Sequence, residues 1–218
     1  MTKKQMQDQV VNWLGLQDVD SYNETTMVND LLYQGTIDLL SRTRCTVRCV
    51  QLRVQAGQDE YTLDHGILAL VDVENGARPR LRRNQLADAT DPGFTLIRSD
   101  VLLVAPAPSV DGTIQVWGVM RPQQMAADTD SPDSESFGAI PTEYHDAIVT
   151  YAMWKAADYS DDAGSQQGER YRVLYEGQDG RGGRLGQIKS LVNKRGTARA
   201  ASRKVTVKVL NSHASYVG

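Results

Sequence analysis

Apolar residues recur with a helical period near both ends of this 218-residue chain. Residues 4–14 and 25–42 each place their apolar side chains on one face, which predicts two helices, the second capped by Asn23 or Thr25. Residues 140–158 predict a third helix, with Pro141 in its first turn, that is apolar around most of its circumference and therefore packed from several sides. The inward-facing residues predicted for the first two helices are Met6, Val10, Trp13, Leu14, Met27, Val28, Leu31, Leu32, Leu39 and Leu40.

A final helix is predicted over residues 169–193, after a loop at residues 161–168. Glycines at positions 177, 180, 182 and 183 each cost about 1 kcal/mol in a helix interior, so we expect this helix to break around residues 180–183. The residues predicted to face inward are Tyr171, Leu174, Tyr175, Leu185, Ile188, Leu191 and Val192.

Between residues 44 and 125 the period of the apolar residues changes from about 3.6 to about 2. Six or so short strands follow one another through tight turns, including a hairpin at Asn75-Gly76 and a turn at Asp111-Gly112. The absence of an intervening helical pattern predicts an antiparallel sandwich or a small barrel.

The predicted fold class is therefore α+β. A helical bundle built from both ends of the chain receives an inserted antiparallel β-sandwich or barrel-like module, and an extended C-terminal arm follows. The predicted divisions are residues 1–43 for the N-terminal helices, 44–125 for the β-module, 126–139 for a polar linker, 140–195 for the C-terminal helices and 196–218 for a basic arm.

Charge divides the chain into an acidic part and a basic part. Residues 1–180 hold all 27 acidic residues with 15 Lys and Arg, a net charge of −12, whereas residues 181–218 hold 9 Lys and Arg and no acidic residue. The basic segment is expected to meet something negative, either an external partner or the acidic part of its own or a neighbouring subunit. The predicted partner-binding residues, for a protein or for the backbone of DNA, are Arg195, Arg199, Arg203, Lys204 and Lys208.

No group of residues has the spacing of a catalytic, cofactor or metal site, so the chain is interpreted as non-enzymatic. Cys45 and Cys49 would lie about 13 Å apart in a strand, too far for a disulfide, and are predicted to be small buried residues. His145 is predicted to be partly buried and hydrogen-bonded locally. Asp158 and Glu169 occupy the first and last positions of an imperfect calcium loop, for which a solvated acidic loop is the favoured interpretation.

The chain shows no feature typical of a membrane protein or an exported protein. No apolar run approaches the ~20 residues that span a bilayer, and the N-terminus lacks the apolar centre of a signal peptide. Two cysteines fit a reducing cytoplasm.

The order of short motifs resembles one family. A leucine-rich helix leads to A-G-Q-D-E-Y-T-L, then V-A-P-A-P, T-I-Q-V-W-G-V-M-R-P, an acidic D-T-D-S-P linker and I-P-T-E-Y-H-D-A-I-V-T-Y-A. From about residue 25 to residue 192, this pattern resembles the head-to-tail adaptor (head-completion, or connector) proteins of tailed double-stranded DNA bacteriophages.

The resemblance implies a structural protein of the virion neck, assembled in the host cytoplasm. Such proteins form a ring, usually of twelve copies, between the portal protein and the tail-completion or tail terminator proteins. Double-stranded DNA passes through the ring without sequence-specific contacts. The C-terminal extension, here residues 196–218, would reach the portal or line the DNA channel.

Two other interpretations remain open. A tail or baseplate binding module would use the face of the β-sandwich and exposed aromatic residues, for which the candidates are Tyr61, Phe94 and Trp117. A small DNA-binding protein would use the basic arm, and removing residues 194–218 would then abolish DNA binding.

Overall fold

A computed structural model describes residues 1–14, 22–63, 66–75, 82–83, 93–158, 164–178 and 181–195, and it confirms the α+β class. The helices are α1 (Lys3–Leu14), α2 (Tyr22–Thr43), α3 (His145–Asp158), α4 (Gly164–Glu176) and α5 (residues 184–195), with 3-10 turns at Glu135–Phe137 and Thr142–Tyr144. The strands are β1 (Arg48–Val54), β2 (Glu60–Thr62), β3 (Ile67–Asn75), β4 (Arg82–Arg83), β5 (Gly93–Arg98), β6 (Val101–Ala105), β7 (Gly112–Met120), β8 (Gly177–Gln178) and β9 (Arg181–Gly182).

The five helices, which we call the helical body, share one apolar core. Helix α3 packs against α1, α2 and α4, as expected for a helix that is apolar on most sides. The core includes Met6 and Val10 from α1 together with Leu185 and Ile188 from α5, so both ends of the chain contribute to it. The inward face predicted for α2 is largely buried, with Val28, Leu31, Leu32, Leu39 and Leu40 in the core.

Several predicted helix ends are wrong. Helix α2 begins at Tyr22, so Asn23 and Thr25 lie inside its first turn and neither is its cap. Pro141 is extended (φ −54°, ψ 140°) and precedes a 3-10 turn, so the regular part of α3 begins only at His145. Helix α4 begins at Gly164, inside the stretch predicted to be a loop.

The predicted break in the last helix is confirmed. Strands β8 and β9 form a two-stranded antiparallel hairpin between α4 and α5, with Gly177 paired to Gly182. Gly177 and Gly182 have positive φ angles of 88° and 82°, which glycine adopts without the steric cost of a side chain. The chain thus reverses direction at the point where a continuous helix would have contained several destabilising glycines.

Strands β1–β7, which we call the β-module, form two small sheets. The sheet orders are β1-β7-β3 and β2-β6-β5-β4, and all pairings are antiparallel except the short β4–β5 pair, which is parallel. The described strands do not close into a barrel, and the sandwich packing stays a prediction. Both sheets contribute to one apolar cluster, for example through Ile114 and Leu102. The return strand predicted after Asn75-Gly76 lies mostly outside the described residues.

Strand β7 belongs to both apolar clusters. Val116 lies in the cluster of the β-module, whereas Val119 on the same strand lies in the core of the helical body. A Cβ atom at Gly118 would lie 3.1 Å from the carbonyl oxygen of Ala69, so β3 and β7 approach closely at this point. The β-module and the helical body are therefore joined by a packed strand.

The polar linker is held by hydrogen bonds that its backbone carbonyl oxygens accept from Lys3 and Arg48. The Lys3 amide donates to the carbonyl oxygen of Asp130 at 2.7 Å, and Lys3 Nζ donates to the carbonyl oxygen of Ala126 at 2.7 Å. Arg48 on β1 donates to the carbonyl oxygen of Glu135 at 2.8 Å. These bonds hold the acidic linker against both α1 and the β-module.

Candidate interaction surfaces

Helix α5 carries exposed cationic side chains. Leu185 and Ile188 are buried in the core, which turns the cationic side chains of Lys189 and Lys194 outward. Arg184 lies 3.5 Å from Asp146 of α3, at the start of α5. From residue 181 onward the sequence has no acidic residue, so the exposed side of α5 has no anion of its own.

Only one of the predicted partner-binding residues is described by the structure. Arg195 ends α5 and donates to a carboxylate oxygen of Glu143 at 3.4 Å, with both side chains more than half exposed. This exposed pair contributes at most about 1 kcal/mol, so Arg195 can exchange Glu143 for another anion at little cost. Arg199, Arg203, Lys204 and Lys208 lie outside the described residues.

An apolar groove lies between α1 and α4. Its volume is about 370 Å³, and the side chains of Trp13 on α1 and Leu174 on α4 line it. Val149 and Met153 of α3 line it as well, and the ion pair between Asp146 and Arg184 lies at its polar side. Trp13, predicted to be buried, is 59% exposed and touches Tyr171 edge-on, with the ring centroids 6.2 Å apart.

A second cavity of about 530 Å³ lies where β1 and the end of β7 meet the linker. Arg48, Arg121 and Glu135 supply its charged side chains, and Cys49 lies on its wall. The Arg48 side chain spans this junction through its bond to the Glu135 carbonyl oxygen, which gives it a structural role.

His145 is fully buried at the start of α3, more deeply than predicted. Its Nε2 lies 3.1 Å from the carbonyl oxygen of Ile140, which confirms the expected local bond, and its Nδ1 lies 2.8 Å from the Met1 amino group. Burial is the main cause that lowers the pKa of His145, and the nearby amino group lowers it further. A neutral ring that donates from Nε2 and accepts at Nδ1 satisfies both contacts.

The two cysteines differ from each other. Cys45 is half-buried, and burial raises the pKa of its thiol. Cys49 is exposed on β1, so the prediction that both cysteines are buried is wrong for Cys49. The odd-numbered residues of β1 point away from the apolar cluster, which explains this exposure. Neither cysteine forms a disulfide.

The imperfect calcium loop is not a continuous loop. Asp158 ends α3, and Glu169 lies inside α4, where Arg172 donates to it at 2.6 Å and 2.7 Å. Within the described ranges, no group of three or more His, Cys, Asp or Glu residues could hold a metal ion. In the same ranges, no helix is long and apolar enough to cross a membrane.

The aromatic residues of the β-module do not form a binding face. Tyr61 and Phe94 are buried in the apolar cluster, and Trp117 is only partly exposed. A tail or baseplate binding module would be expected to expose aromatic residues on the β-module, and the described part of the module shows no such exposed face.

Comparison with known proteins agrees with the motif order. The family model of the SU10 adaptor protein matches residues 1–206, which is most of the chain, so the chain belongs to this family of phage head-tail adaptor proteins. The resemblance inferred from the sequence is confirmed, and the protein is a structural adaptor of the phage virion. Such adaptors are typically non-enzymatic. No match was found among curated proteins.

Proposed function

We propose that this protein forms a ring of twelve copies in the virion neck, between the portal protein and the tail-completion or tail terminator proteins. Membership of the adaptor family over residues 1–206 is the observation that carries the proposal. The ring would complete the head, offer the docking surface for the tail and let double-stranded DNA pass without sequence-specific contacts. Its assembly would take place in the host cytoplasm.

The C-terminal basic segment is proposed to make the contact with the portal. Helix α5 carries exposed cations up to Arg195, and the sequence continues with Arg199, Arg203, Lys204 and Lys208 without any acidic residue. A basic segment fits an acidic portal surface, because opposite charges steer and orient the two partners.

Negative-stain imaging tests the ring. The purified protein is imaged alone and after mixing with the portal protein of the same genome. We expect rings stacked on the portal, with a symmetry that gives the copy number. Single particles in both samples, with no portal binding, would contradict the proposal.

DNA binding by the basic segment is the second candidate, favoured by the exposed Lys189 and Lys194 on α5. Removal of residues 194–218 distinguishes the two partners. If the truncated protein no longer docks on the portal but binds DNA as before, the segment contacts the portal. If it instead loses a strongly salt-dependent affinity for DNA, the segment contacts the DNA phosphate backbone.

A further inference from the structure

The outer strands of the β-module differ in how well they are protected from pairing with another chain. Among the described strands, β1 and β3 are the outer strands of one sheet, and β2 and β4 are those of the other. Strands β2 and β4 are only three and two residues long, and β3 has two breaks in its register with β7. Short length and bulges keep edge strands from pairing with other chains. Strand β1 has neither, because its seven residues pair with β7 in unbroken register.

The outer edge of β1 has no neighbouring strand among those described, since β7 alone pairs with it. In a strand that pairs on one side only, the backbone N–H and C=O groups of alternate residues point away from the partner strand. Val50 lies on the same face of β1 as Leu52 and Val54, yet it is 37% exposed, whereas Val54 is 4% exposed. The apolar face of β1 is therefore left partly open along this edge.

The cavity of about 530 Å³ lies beside this edge. Cys49 and Val50 are consecutive in β1, so their side chains point to opposite faces of the sheet, yet both line the cavity. A space that borders both faces of a strand lies next to the strand rather than above it. The residues after β7 and Glu135 of the linker form the other wall. There is thus room for a further segment alongside β1.

The charges at this edge indicate the chemistry of its partner. Arg48 and Arg121 line the cavity, where Glu135 is the one acidic residue among those described. Arg53 is exposed on the outward face of β1. Neither Arg53 nor Arg121 forms an ion pair with a described residue, and Arg48 bonds to a neutral carbonyl oxygen. Such unneutralised cations attract and orient an acidic partner.

We propose that the outer edge of β1 binds an extended acidic segment of another protein, which adds as a fourth strand to the sheet β1-β7-β3. Main-chain hydrogen bonds to the free backbone groups of β1 supply the affinity. Apolar side chains at alternate positions of the segment cover Val50 and Leu52, and the acidic side chains between them face Arg53. This contact uses neither the groove nor the basic C-terminal segment, and it does not depend on the ring proposed above.

Other occupants of the edge fit less well. Pairing of β1 with β1 of a second copy brings Arg48 and Arg53 of both copies into one interface, where like charges repel. Pairing with β3 of a second copy offers the acidic Asp72 and Glu74, but the irregular register of β3 interrupts a continuous ladder. A DNA duplex is held through its phosphates and leaves the backbone groups of β1 unpaired.

The test uses the full chain and a synthetic peptide as the probe. The peptide alternates valine and glutamate, has the same length as β1 and carries a fluorescent label for anisotropy titrations. We expect saturable binding of this peptide. A version methylated at every backbone nitrogen, and a version with lysine in place of glutamate, should each bind about tenfold more weakly or worse, because they lack the backbone donors and the negative charge respectively.

Charge-reversal variants locate the contact. Arg53→Glu and Arg121→Glu should each weaken binding of the valine–glutamate peptide about tenfold. Arg98→Glu is the matched control, because Arg98 lies on β5 in the other sheet and its side chain is 72% exposed. We expect Arg98→Glu to bind the peptide like the unmodified protein, and circular dichroism melts show whether each variant is folded.

Hydrogen exchange distinguishes strand addition from a purely electrostatic contact. The backbone amides of residues 48–54 that point away from β7 should exchange fast in the free protein and slowly with the peptide bound. Absence of saturable binding, equal binding of the methylated peptide, or unchanged affinity in folded Arg53→Glu and Arg121→Glu would each overturn the proposal. Protection that rises with protein concentration alone would assign the edge to a second copy, and displacement of the peptide by duplex DNA would assign it to DNA; both overturn it as well.

Discussion

The helical body and the β-module bury their apolar residues to different degrees. The body gathers side chains from all five helices into one core. It leaves Trp13 and Leu174 exposed at the groove between α1 and α4, and Leu191 exposed on α5. The β-module has a smaller cluster and exposes apolar side chains on β1, β3 and β5 and in the turn before β7. Scattered exposure, as in the module, is ordinary for a folded surface, whereas two of the three exposed side chains of the body line the same groove.

The two regions are nevertheless coupled. Because β7 contributes Val116 to one cluster and Val119 to the other, loosening of either cluster disturbs the same strand. We therefore expect the body and the module to unfold in one cooperative transition, although they differ in size and in exposure.

The largest expected effect comes from the core of the body. Ile148→Ala removes a fully buried side chain of α3 and should lower the free energy of unfolding by about 4 kcal/mol. Urea titrations followed by far-ultraviolet circular dichroism and by tryptophan fluorescence should give coincident curves. Ile148→Val, as the control, should cost only about 1 kcal/mol.

The equivalent change in the module tests the coupling from the other side. Leu102→Ala, also at a fully buried position, should shift the same single transition. Two separated transitions, with the module melting first, would show that β7 does not join the two regions.

The hairpin between α4 and α5 gives the next largest effect. A Cβ atom at Gly183 would overlap the backbone nitrogen of Gly177 and lie 2.6 Å from the carbonyl oxygen of Tyr175, so Gly183→Ala should cost about 3 kcal/mol. At Gly182 a Cβ atom meets nothing within 4 Å, and only the positive φ opposes it, at about 1 kcal/mol. Equal losses in thermal melts of the two variants would contradict this account of the hairpin.

Each region contains a buried tyrosine whose hydroxyl group donates a hydrogen bond, and the two bonds differ in their acceptors. Tyr175 in the body donates to a carboxylate oxygen of Asp38 at 2.6 Å, whereas Tyr61 in the module donates to the backbone carbonyl oxygen of Gln58 at 2.6 Å. Bonds to charged groups are the stronger ones, so Tyr175→Phe should cost about 2 kcal/mol and Tyr61→Phe about 1 kcal/mol in denaturant titrations. The reverse order would show that the Asp38 carboxylate finds other partners without loss.

The smallest effect depends on pH. The pKa of His145 is lowered from its ordinary 6.5, mainly by burial, so the unfolded chain binds a proton more readily than the folded one. Stability should therefore be highest above pH 6.5 and fall as the pH drops below that value towards the lowered pKa. Urea midpoints measured across this interval should change less in His145→Gln, and an unchanged slope would exclude His145 as the cause.

The sequence predicted the elements better than their ends. The periods of 3.6 and 2 separated the helices from the strands, and glycines at 177, 180, 182 and 183 located the chain reversal before α5. The caps failed because Asn23 and Thr25 are tolerated inside a first turn, where the tertiary packing of α2 outweighs local preference. Helix α4 likewise begins earlier than predicted, and glycine at its first position, Gly164, avoids the larger cost of a glycine in a helix interior.

The groove could not be predicted from periodicity. Helical spacing placed Trp13 and Leu174 on inward faces, but it cannot show where two neighbouring helices diverge and leave those faces open. Cys49 was misassigned for a related reason, because alternation along β1 does not identify the side of the sheet that a neighbouring element covers. In each case the sequence determines which side chains share a face, and the tertiary structure determines whether that face is covered.

The arrangement of the helical body has a consequence for protein synthesis. Its core brings Met6 together with Leu185 and Ile188, so nearly the whole chain has to leave the ribosome before this core can close, whereas β1–β7 form a continuous stretch that can pair earlier. The groove likewise requires Trp13 and Leu174 in the same molecule. A truncated chain therefore lacks this groove, so a partner that recognises it can tell a finished chain from an unfinished one.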